Sequence, residues 1–142
     1  RQVFDYCNDQ PRVSNWLMMV ACDMPFVNPA VFGLLLTMTH TRHPSGAPWD
    51  GVVPHINGRL QPMHALYHRI AAPTWKSLFD AGERSLQRAC NRINVRLVEE
   101  DEIQPVDPLL QSFVNVNTPE EWAAVQQNFP NQQHFGDANH HV

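Results

Sequence analysis

Glycine is scarce in this chain of 142 residues, which contains six glycines and no two adjacent ones. A P-loop and a dinucleotide-binding fingerprint both depend on closely spaced glycines that let the backbone approach phosphate groups. Neither pattern occurs in these residues, and no G-x-S-x-G sequence marks a strained nucleophilic serine. Three common ways of building a nucleotide or hydrolase site are therefore excluded for these residues.

Cysteine and long apolar runs are also in short supply. Cys7, Cys22 and Cys90 are odd in number and form no CxxC pair, so neither a disulfide framework nor a zinc knuckle is predicted. No apolar run approaches the roughly 20 residues that cross a membrane, and the first residues lack a signal-peptide layout. The simplest interpretation is a reduced, cytoplasmic protein without a membrane partner.

The composition that remains is typical of a globular domain. Hydrophobic residues make up 43% of the chain and charged residues 17%, which is unlike a disordered sequence. The formal net charge of −4 argues against nucleic acid as the main partner. The length suits one domain, and we predict a polar, mobile tail over residues 130–142.

Apolar periodicity and turn residues predict alternating strands and helices. The unbroken apolar run over residues 15–22 is typical of an interior strand that is covered on both faces. Asn57-Gly58 predicts a hairpin, around which Pro54 and Pro62 favour edge positions or irregular pairing. The remaining helices are predicted over 28–40, 73–93 (divided, if at all, at Gly82) and 118–129, with Asn28 and Thr118 as the N-caps of the first and the last. The remaining strands are predicted over 95–101 and 112–118. This order predicts an α/β fold with a mixed sheet.

Asp23 stands where the first apolar run ends, in the stretch MMVACDMPFVNP. Ligands of α/β sheets bind beyond the carboxyl ends of the strands, and Mg²⁺ prefers carboxylate oxygens together with substrate phosphates. Asp23 is therefore a candidate metal ligand. The alternative is that its carboxylate caps the following turn by accepting backbone N–H groups.

Asn115 and Asn117 fall two residues apart at the end of the predicted strand 112–118, so they share one face of it. Their amides are able to bind a polar ligand or to hold a neighbouring loop. If the two strands are close together, we expect the side chains of Asn117 and Asp23 to open on one cleft.

Three arginines at a spacing of four residues, Arg84, Arg88 and Arg92, form the clearest charge pattern. On a helix they would lie on one face, and Asp80 would be placed to pair with Arg84. We predict a solvated stripe rather than a phosphate clamp.

Four segments carry a family resemblance. VACDMPFVNPAVFGLLL, GRLQPMHALYHR, LFDAGERSLQ and SFVNVNTPEEW occur in this order between about Asn15 and Gln126. Together they resemble the C-terminal part of the molybdenum cofactor guanylyltransferase family, MobA. The resemblance implies a Rossmann-like nucleotidyltransferase three-layer sandwich with a mixed sheet. It also implies transfer of GMP from GTP to molybdopterin, with release of pyrophosphate and with Mg²⁺ as cofactor.

The resemblance assigns roles to individual residues and partners. It implies that Asp23 binds the metal and is catalytic. The substrate pocket would include five further residues, namely Asn115, Asn117, Gln61, Pro62 and His64, the last three on the pterin side. The implied partners are GTP, the molybdenum cofactor, and molybdoenzymes or other proteins of cofactor biosynthesis.

One element of the family pattern does not occur in these residues. MobA proteins hold the nucleotide phosphates with a glycine-rich loop, LAGG…RMG…DK, near their N-terminus. We therefore expect residues 1–129 to be the C-terminal portion of a single nucleotidyltransferase domain that is inactive alone. The base preference is left open, as are two alternatives: a related cytidylyl- or sugar-phosphate-type nucleotidyltransferase, and a non-catalytic pterin-binding remnant.

Overall fold

The computed structural model describes residues 15–128, so the predicted tail over residues 130–142 lies outside it. Its helices and strands follow the predicted order, except that residues 112–118 form no strand. In chain order they are β1 (Trp16–Val20), α1 (Pro29–Met38), β2 (Gly51–Ile56), β3 (Arg59–Leu60), β4 (His64–His68), α2 (Ala72–Asp80), α3 (Leu86–Cys90), β5 (Val95–Glu99), α4 (Glu100–Ile103) and α5 (Pro119–Asn128), with 3₁₀ turns at Arg69–Ala71 and Gln111–Phe113.

The five strands of residues 15–128 form one mixed sheet in which β1, β4, β2 and β5 lie side by side in that order, and the short strand β3 pairs antiparallel with the end of β2. Strand β4 is antiparallel to β1 and to β2, whereas β5 is parallel to β2. Strands β1, β2 and β5 therefore run in one direction, and their carboxyl ends share one edge of the sheet. The start of β4 lies at the same edge, because Val20 at the end of β1 is opposite His64.

Helices cover both faces of the sheet. Successive strand residues point to opposite faces, so each strand contributes to two hydrophobic cores. In β2, Val52 and Ile56 pack with residues of α1 and α4, whereas Val53 packs against Trp75 of α2 and Cys90 of α3. This arrangement confirms the predicted α/β class with a mixed sheet. None of the helices in the described part of the chain has the length and apolar character needed to cross a membrane.

Strand β1 differs from the interior strand that its apolar run predicts. Within residues 15–128 it pairs only with β4, and Met18 is 55% exposed. Trp16 and Val20 nevertheless pack on one core and Met19 on the other. The apolar run therefore reflects layers on both faces of the strand, and it carries no information about its lateral neighbours.

Pro54 lies in central strand β2 rather than at an edge, and it shows the irregular pairing that is the other arrangement predicted for it. The Pro54 carbonyl accepts a hydrogen bond from the Gln61 N–H (2.9 Å), on the side of β3 and β4. The N–H and C=O of one strand residue point to the same side, so the missing Pro54 N–H also faces that side. There the pairing with β4 has ended at Val52 and the pairing with β3 begins only at His55. The proline therefore occupies a gap between two partner strands.

The predicted strand over residues 112–118 is a 3₁₀ turn followed by an unpaired segment. The buried carboxylate of Asp107 accepts hydrogen bonds from the backbone N–H groups of Gln111 (3.1 Å) and Ser112 (3.0 Å). These bonds, together with the left-handed Leu110 (φ 52°), turn the chain where alternation alone predicts extension.

The helix predicted over residues 73–93 is divided at Gly82 (φ 100°), as proposed. Because Arg84 lies in the resulting turn, Asp80 does not pair with it through helical spacing. Lys76 instead forms an i,i+4 ion pair with Asp80 (2.8 Å). The predicted caps of α1 and α5 are confirmed by bonds from Ala30 N–H to Asn28 (2.9 Å) and from Glu121 N–H to Thr118 (3.1 Å).

Candidate active site

The chain turns sharply after β1, and main-chain hydrogen bonds fix that turn from two sides. The Ala21 N–H donates to the Met63 carbonyl (2.8 Å), which ties the end of β1 to the start of β4. The Val116 N–H donates to the Asp23 carbonyl (2.8 Å), which ties the turn to the segment before α5. Stacking of Phe26 on Trp122 of α5 (ring centroids 6.0 Å apart) adds an apolar contact.

A cleft of about 340 Å³ opens at this edge of the sheet. The turn after β1 contributes Ala21, Asp23 and Met24, and strand β3 with its connection to β4 contributes residues 59–63. Gln87 of α3 and Asn115 complete the lining. The cleft therefore lies beyond the carboxyl end of β1, where α/β folds bind their ligands.

Four of the six predicted site residues meet in this cleft, namely Asp23, Gln61, Pro62 and Asn115. Asn117 is not part of the lining, and its backbone N–H donates to the Glu121 carboxylate (2.6 Å). The segment 114–118 is not a strand, so the alternation that places Asn115 and Asn117 on one face does not apply.

His64 is placed inside the core rather than in the cleft. It is fully buried, with its ring centroid 4.7 Å from the rings of both Phe32 and Phe113. Its Nδ1 lies 3.3 Å from the sulfur of Met24, and its Nε2 has no hydrogen-bond partner among the described residues. Burial lowers the pKa of His64 to about 4, against the opposing effect of the Asp107 charge. His64 thus supports Met24, which lines the cleft.

The polar side chains in the cleft are uncommitted. Among residues 15–128, no hydrogen bond or ion pair involves the carboxylate of Asp23, the guanidinium of Arg59, or the amides of Gln61 and Asn115. The exception is Gln87, whose Nε2 donates to the Leu60 carbonyl (2.7 Å). Charged and amide groups held on a fixed backbone without internal partners are available to a ligand.

Arg59 and Gln87 are lining residues that the sequence analysis missed. For Arg59 a signal exists, since it directly follows the Asn57-Gly58 turn and precedes the predicted site residue Gln61 by two residues. Gln87 lies on the short helix α3, and no sequence pattern links that helix to the cleft.

The donor set suits a cation that is completed by substrate. Asp23 is the one carboxylate in the lining, and the described part of the chain has no group of three His, Cys, Asp or Glu residues placed to hold a metal. Mg²⁺ commonly takes one or two carboxylates, several waters and substrate phosphates. Asp23 with the amide oxygens of Gln61 and Asn115 fits this mode of binding and does not fit a closed all-protein cage.

The three predicted stripe arginines are exposed, as expected. They do not form a helical stripe, because Arg84 precedes the Ser85 cap of α3 and Arg92 follows its end. Arg88 instead contacts the Glu83 carboxylate through Nε and Nη2 (3.0 Å), and this hydrogen bonding lowers the pKa of Glu83 to about 2.

Comparison with known proteins identifies the family of this chain. Residues 8–98 match the model of the MobA-like NTP transferase domain. The chain belongs to this family. Among curated MobA-type relatives, it is similar to probable molybdenum cofactor guanylyltransferases of Bacillus cereus strain B4264 (32% identity over 119 residues) and Bacillus mycoides strain KBAB4 (31%). Each match covers 84% of this chain and 55% of the relative, so the chain spans about half the length of these relatives.

Solved structures agree with the MobA-like fold. Molybdopterin-guanine dinucleotide biosynthesis protein A from Archaeoglobus fulgidus is similar, with a TM-score of 0.68 and 26% identity, over 81% of this chain and 56% of that protein. The putative protein Aq1419 from Aquifex aeolicus has a TM-score of 0.57 at 12% identity, over 82% of this chain and 54% of its own, and shows the fold alone.

Proposed function

We propose that the protein to which these residues belong transfers GMP from GTP to molybdopterin and releases pyrophosphate. Family membership and the names of the relatives support a transferase of molybdenum cofactor biosynthesis. The observation that carries the proposal is the cleft at the carboxyl end of β1, where the carboxylate of Asp23 stands uncommitted beside two free amides. GTP, molybdopterin and Mg²⁺ are the proposed substrates and cofactor.

In the proposed reaction, an oxygen of the molybdopterin phosphate attacks the α-phosphorus of GTP. The bond from that phosphorus to the bridging oxygen breaks, and pyrophosphate leaves with the electron pair. The attacking oxygen is already anionic, so no side chain is needed as a base. A bound Mg²⁺ would supply neutralisation of phosphate charge, and catalysis of such transfers rests mainly on positioning and electrostatics.

The residues of this chain would contribute binding and orientation. The Asp23 carboxylate would hold the cation, at a position set by the main-chain bond from Val116 to its own carbonyl. The amides of Gln61 and Asn115 are able to donate to and accept from a polar substrate. Gln87 holds the Leu60 carbonyl and so fixes the connection that carries Gln61.

The test compares Asp23→Asn with wild type in the product of the complete reading frame that contains these residues. Pyrophosphate release from GTP and molybdopterin is measured with Mg²⁺ and after chelation. A metal contributes several kcal/mol of transition-state stabilisation, so the variant should lose at least about 100-fold in rate. Chelation should abolish the wild-type activity.

Asp101→Asn is the matched control, because Asp101 is an exposed carboxylate of α4 outside the cleft and the substitution removes the same charge. Thermal unfolding of Asp23→Asn should match wild type, since the structural bond at this residue uses its main-chain carbonyl. A rate for Asp23→Asn within twofold of wild type would contradict the assignment of Asp23.

A further inference from the structure

We propose that Arg59 binds a phosphate group of a substrate in the cleft. This inference rests on the proposed function, because it treats the cleft as a nucleotidyl-transfer site. It adds a positively charged side chain to a site whose sequence-predicted members are aspartate, asparagine, glutamine, histidine and proline residues.

The backbone of Arg59 is held firmly in place. Asn57 (φ 52°) and Gly58 (φ 72°) form the tight turn before it. Arg59 is the first residue of the short strand β3 and pairs there with Ile56 of β2. The next residue is fixed as well, since the Leu60 carbonyl accepts the bond from Gln87 (2.7 Å). A side chain on such a support needs only its own rotamers to be ordered when a ligand binds, which reduces the entropic cost of binding.

The Arg59 side chain is exposed, and its charge has no carboxylate partner among residues 15–128. Arg88 contacts the Glu83 carboxylate (3.0 Å) and Arg96 contacts Glu102 (2.7 Å). Among residues 15–128 no ion pair involves Arg42, Arg59, Arg69 or Arg92, and of these four only Arg59 lines the cleft. Arg59 and Asp23 both line the cleft and do not form an ion pair with each other. The cleft therefore presents one unpaired cation and one unpaired carboxylate.

Such a pair of opposite, separate charges matches a metal-bound phosphate ligand, in which the metal faces the carboxylate and the phosphate oxygens face the cation. The planar guanidinium has five N–H donors and binds phosphate in a bidentate manner. The cleft, at about 340 Å³, is within the size range of small-molecule sites.

Two sources of phosphate share this chemistry: the phosphomonoester of the acceptor and the triphosphate of the nucleotide. Binding measurements on the product of the complete reading frame distinguish them. The nucleotide arm uses GTP with Mg²⁺, and the acceptor arm uses 6-hydroxymethylpterin monophosphate, with unphosphorylated 6-hydroxymethylpterin as the phosphate-free reference. Each is titrated calorimetrically.

We expect Arg59→Gln to weaken binding in at least one phosphate arm by about tenfold or more, the effect of losing a charge-assisted hydrogen bond. Arg59→Lys should restore part of the affinity, because it keeps the charge and loses the bidentate geometry. Affinity for the unphosphorylated pterin should not change.

Arg69→Gln is the matched control. Arg69 is an exposed arginine directly after β4, which begins at the cleft edge of the sheet and ends at the far edge. The substitution removes the same charge far from the cleft, and binding in both phosphate arms should stay within about twofold of wild type.

Three results would overturn the inference: unchanged affinity of Arg59→Gln in both phosphate arms, an equal loss with Arg69→Gln, or failure of the wild type to bind either phosphorylated probe. Pyrophosphate release by the wild type is a separate readout. Transfer of GMP with phosphate binding independent of Arg59 leaves the proposed function standing and removes the inference. Phosphate binding that depends on Arg59 without any GMP transfer supports the role of Arg59 and contradicts the proposed function.

Discussion

Lowering the pH from about 7.5 to about 4 should destabilise this protein through one buried side chain, His64. The imidazole lies between Phe32 and Phe113, where water cannot reach it to solvate a charge. Burial lowers its pKa to about 4, and Asp107 is the charged group that acts in the opposite direction. Protonation therefore requires either a buried cation or unfolding.

The magnitude follows from the two pKa values. The unfolded chain protonates this imidazole near 6.5, whereas the folded protein does so near 4. Between these values the unfolded state binds more protons than the folded state. The contribution of His64 to the free energy of unfolding is therefore complete above about pH 6.5, decreases as the pH falls to about 4, and then levels off. Each pKa unit is worth about 1.4 kcal/mol, which makes the total effect of His64 about 3 kcal/mol.

The assay is urea unfolding, followed by tryptophan fluorescence, at a series of pH values for wild type and for His64→Leu. Leucine has a similar volume, cannot be protonated and removes the buried Nε2 that has no partner among the described residues. His68, with a pKa lowered by burial, and His55, with a pKa raised by its hydrogen bond to Glu99, remain in both proteins. Their contributions cancel in the difference between the two curves.

Wild type should lose about 3 kcal/mol more than His64→Leu over this pH range. Parallel curves would refute the reasoning, because they would mean that His64 titrates in the folded protein as it does in the unfolded chain. That outcome would agree instead with the role implied by the family resemblance, in which His64 is accessible and lines the pterin side of the cleft.

Three further predictions address the core, the hairpin and the activity of the isolated chain. Trp75→Ala should lower the free energy of unfolding by about 3–5 kcal/mol in urea, because the buried indole packs on Tyr67 (4.6 Å between ring centroids) and donates to the Ala89 carbonyl (2.9 Å). Gly58→Ala should cost about 1–2 kcal/mol in the same assay, from the left-handed φ of 72° alone, since nothing lies within 4 Å of the added carbon. The 142-residue chain alone should release no pyrophosphate from GTP and molybdopterin, because a triphosphate carries several negative charges and the cleft offers one guanidinium; turnover near that of the complete reading-frame product would contradict this.

Local signals in the sequence predict the elements well where a side chain determines the backbone directly. Asn28 and Thr118 cap the helices that follow them, and the Asn57-Gly58 dipeptide forms the hairpin turn. These features succeed because each depends on a residue and its neighbours within four positions. The mixed sheet is likewise predictable, since it follows from the order of the elements.

The failures come from contacts that neither alternation nor an apolar run reveals, whether the residues are close together or far apart in sequence. The predicted strand 112–118 is absent because the carboxylate of Asp107 turns the chain at Gln111 and Ser112. The lateral neighbours of β1 depend on the order of strands in the sheet, and an apolar run does not predict that order. The family resemblance implies that His64 lies on the pterin side, whereas alternation along β4 and packing against two phenylalanines place it in the core.

The sequence predicts the position of the site, but it predicts only some of the residues that line it. The end of an apolar strand locates the cleft at Asp23, and the family segments add Gln61, Pro62 and Asn115. Arg59 is part of the same segment as Gln61 but differs from the family residues in that no role was carried over to it. Its place in the cleft is visible only in the structure, where Arg59 of β3 and Asp23 of the turn after β1 line the same cleft.

The sequence left two interpretations of Asp23 open, a metal ligand and a cap of the following turn, and the hydrogen bonds argue against the second. A capping aspartate uses its carboxylate to accept backbone N–H groups. Here the carboxylate accepts none among the described residues, and the turn is held instead by the main-chain carbonyl of Asp23 and by the side chain of Asn28, which accepts from Ala30 (2.9 Å) and donates to Val106 (3.2 Å). Because other groups secure the turn, the carboxylate has no structural task within residues 15–128, and it stays in a cleft where its charge is unpaired. That combination supports a ligand-binding role for Asp23, and it is why Asp23→Asn is expected to change activity and to leave stability unaltered.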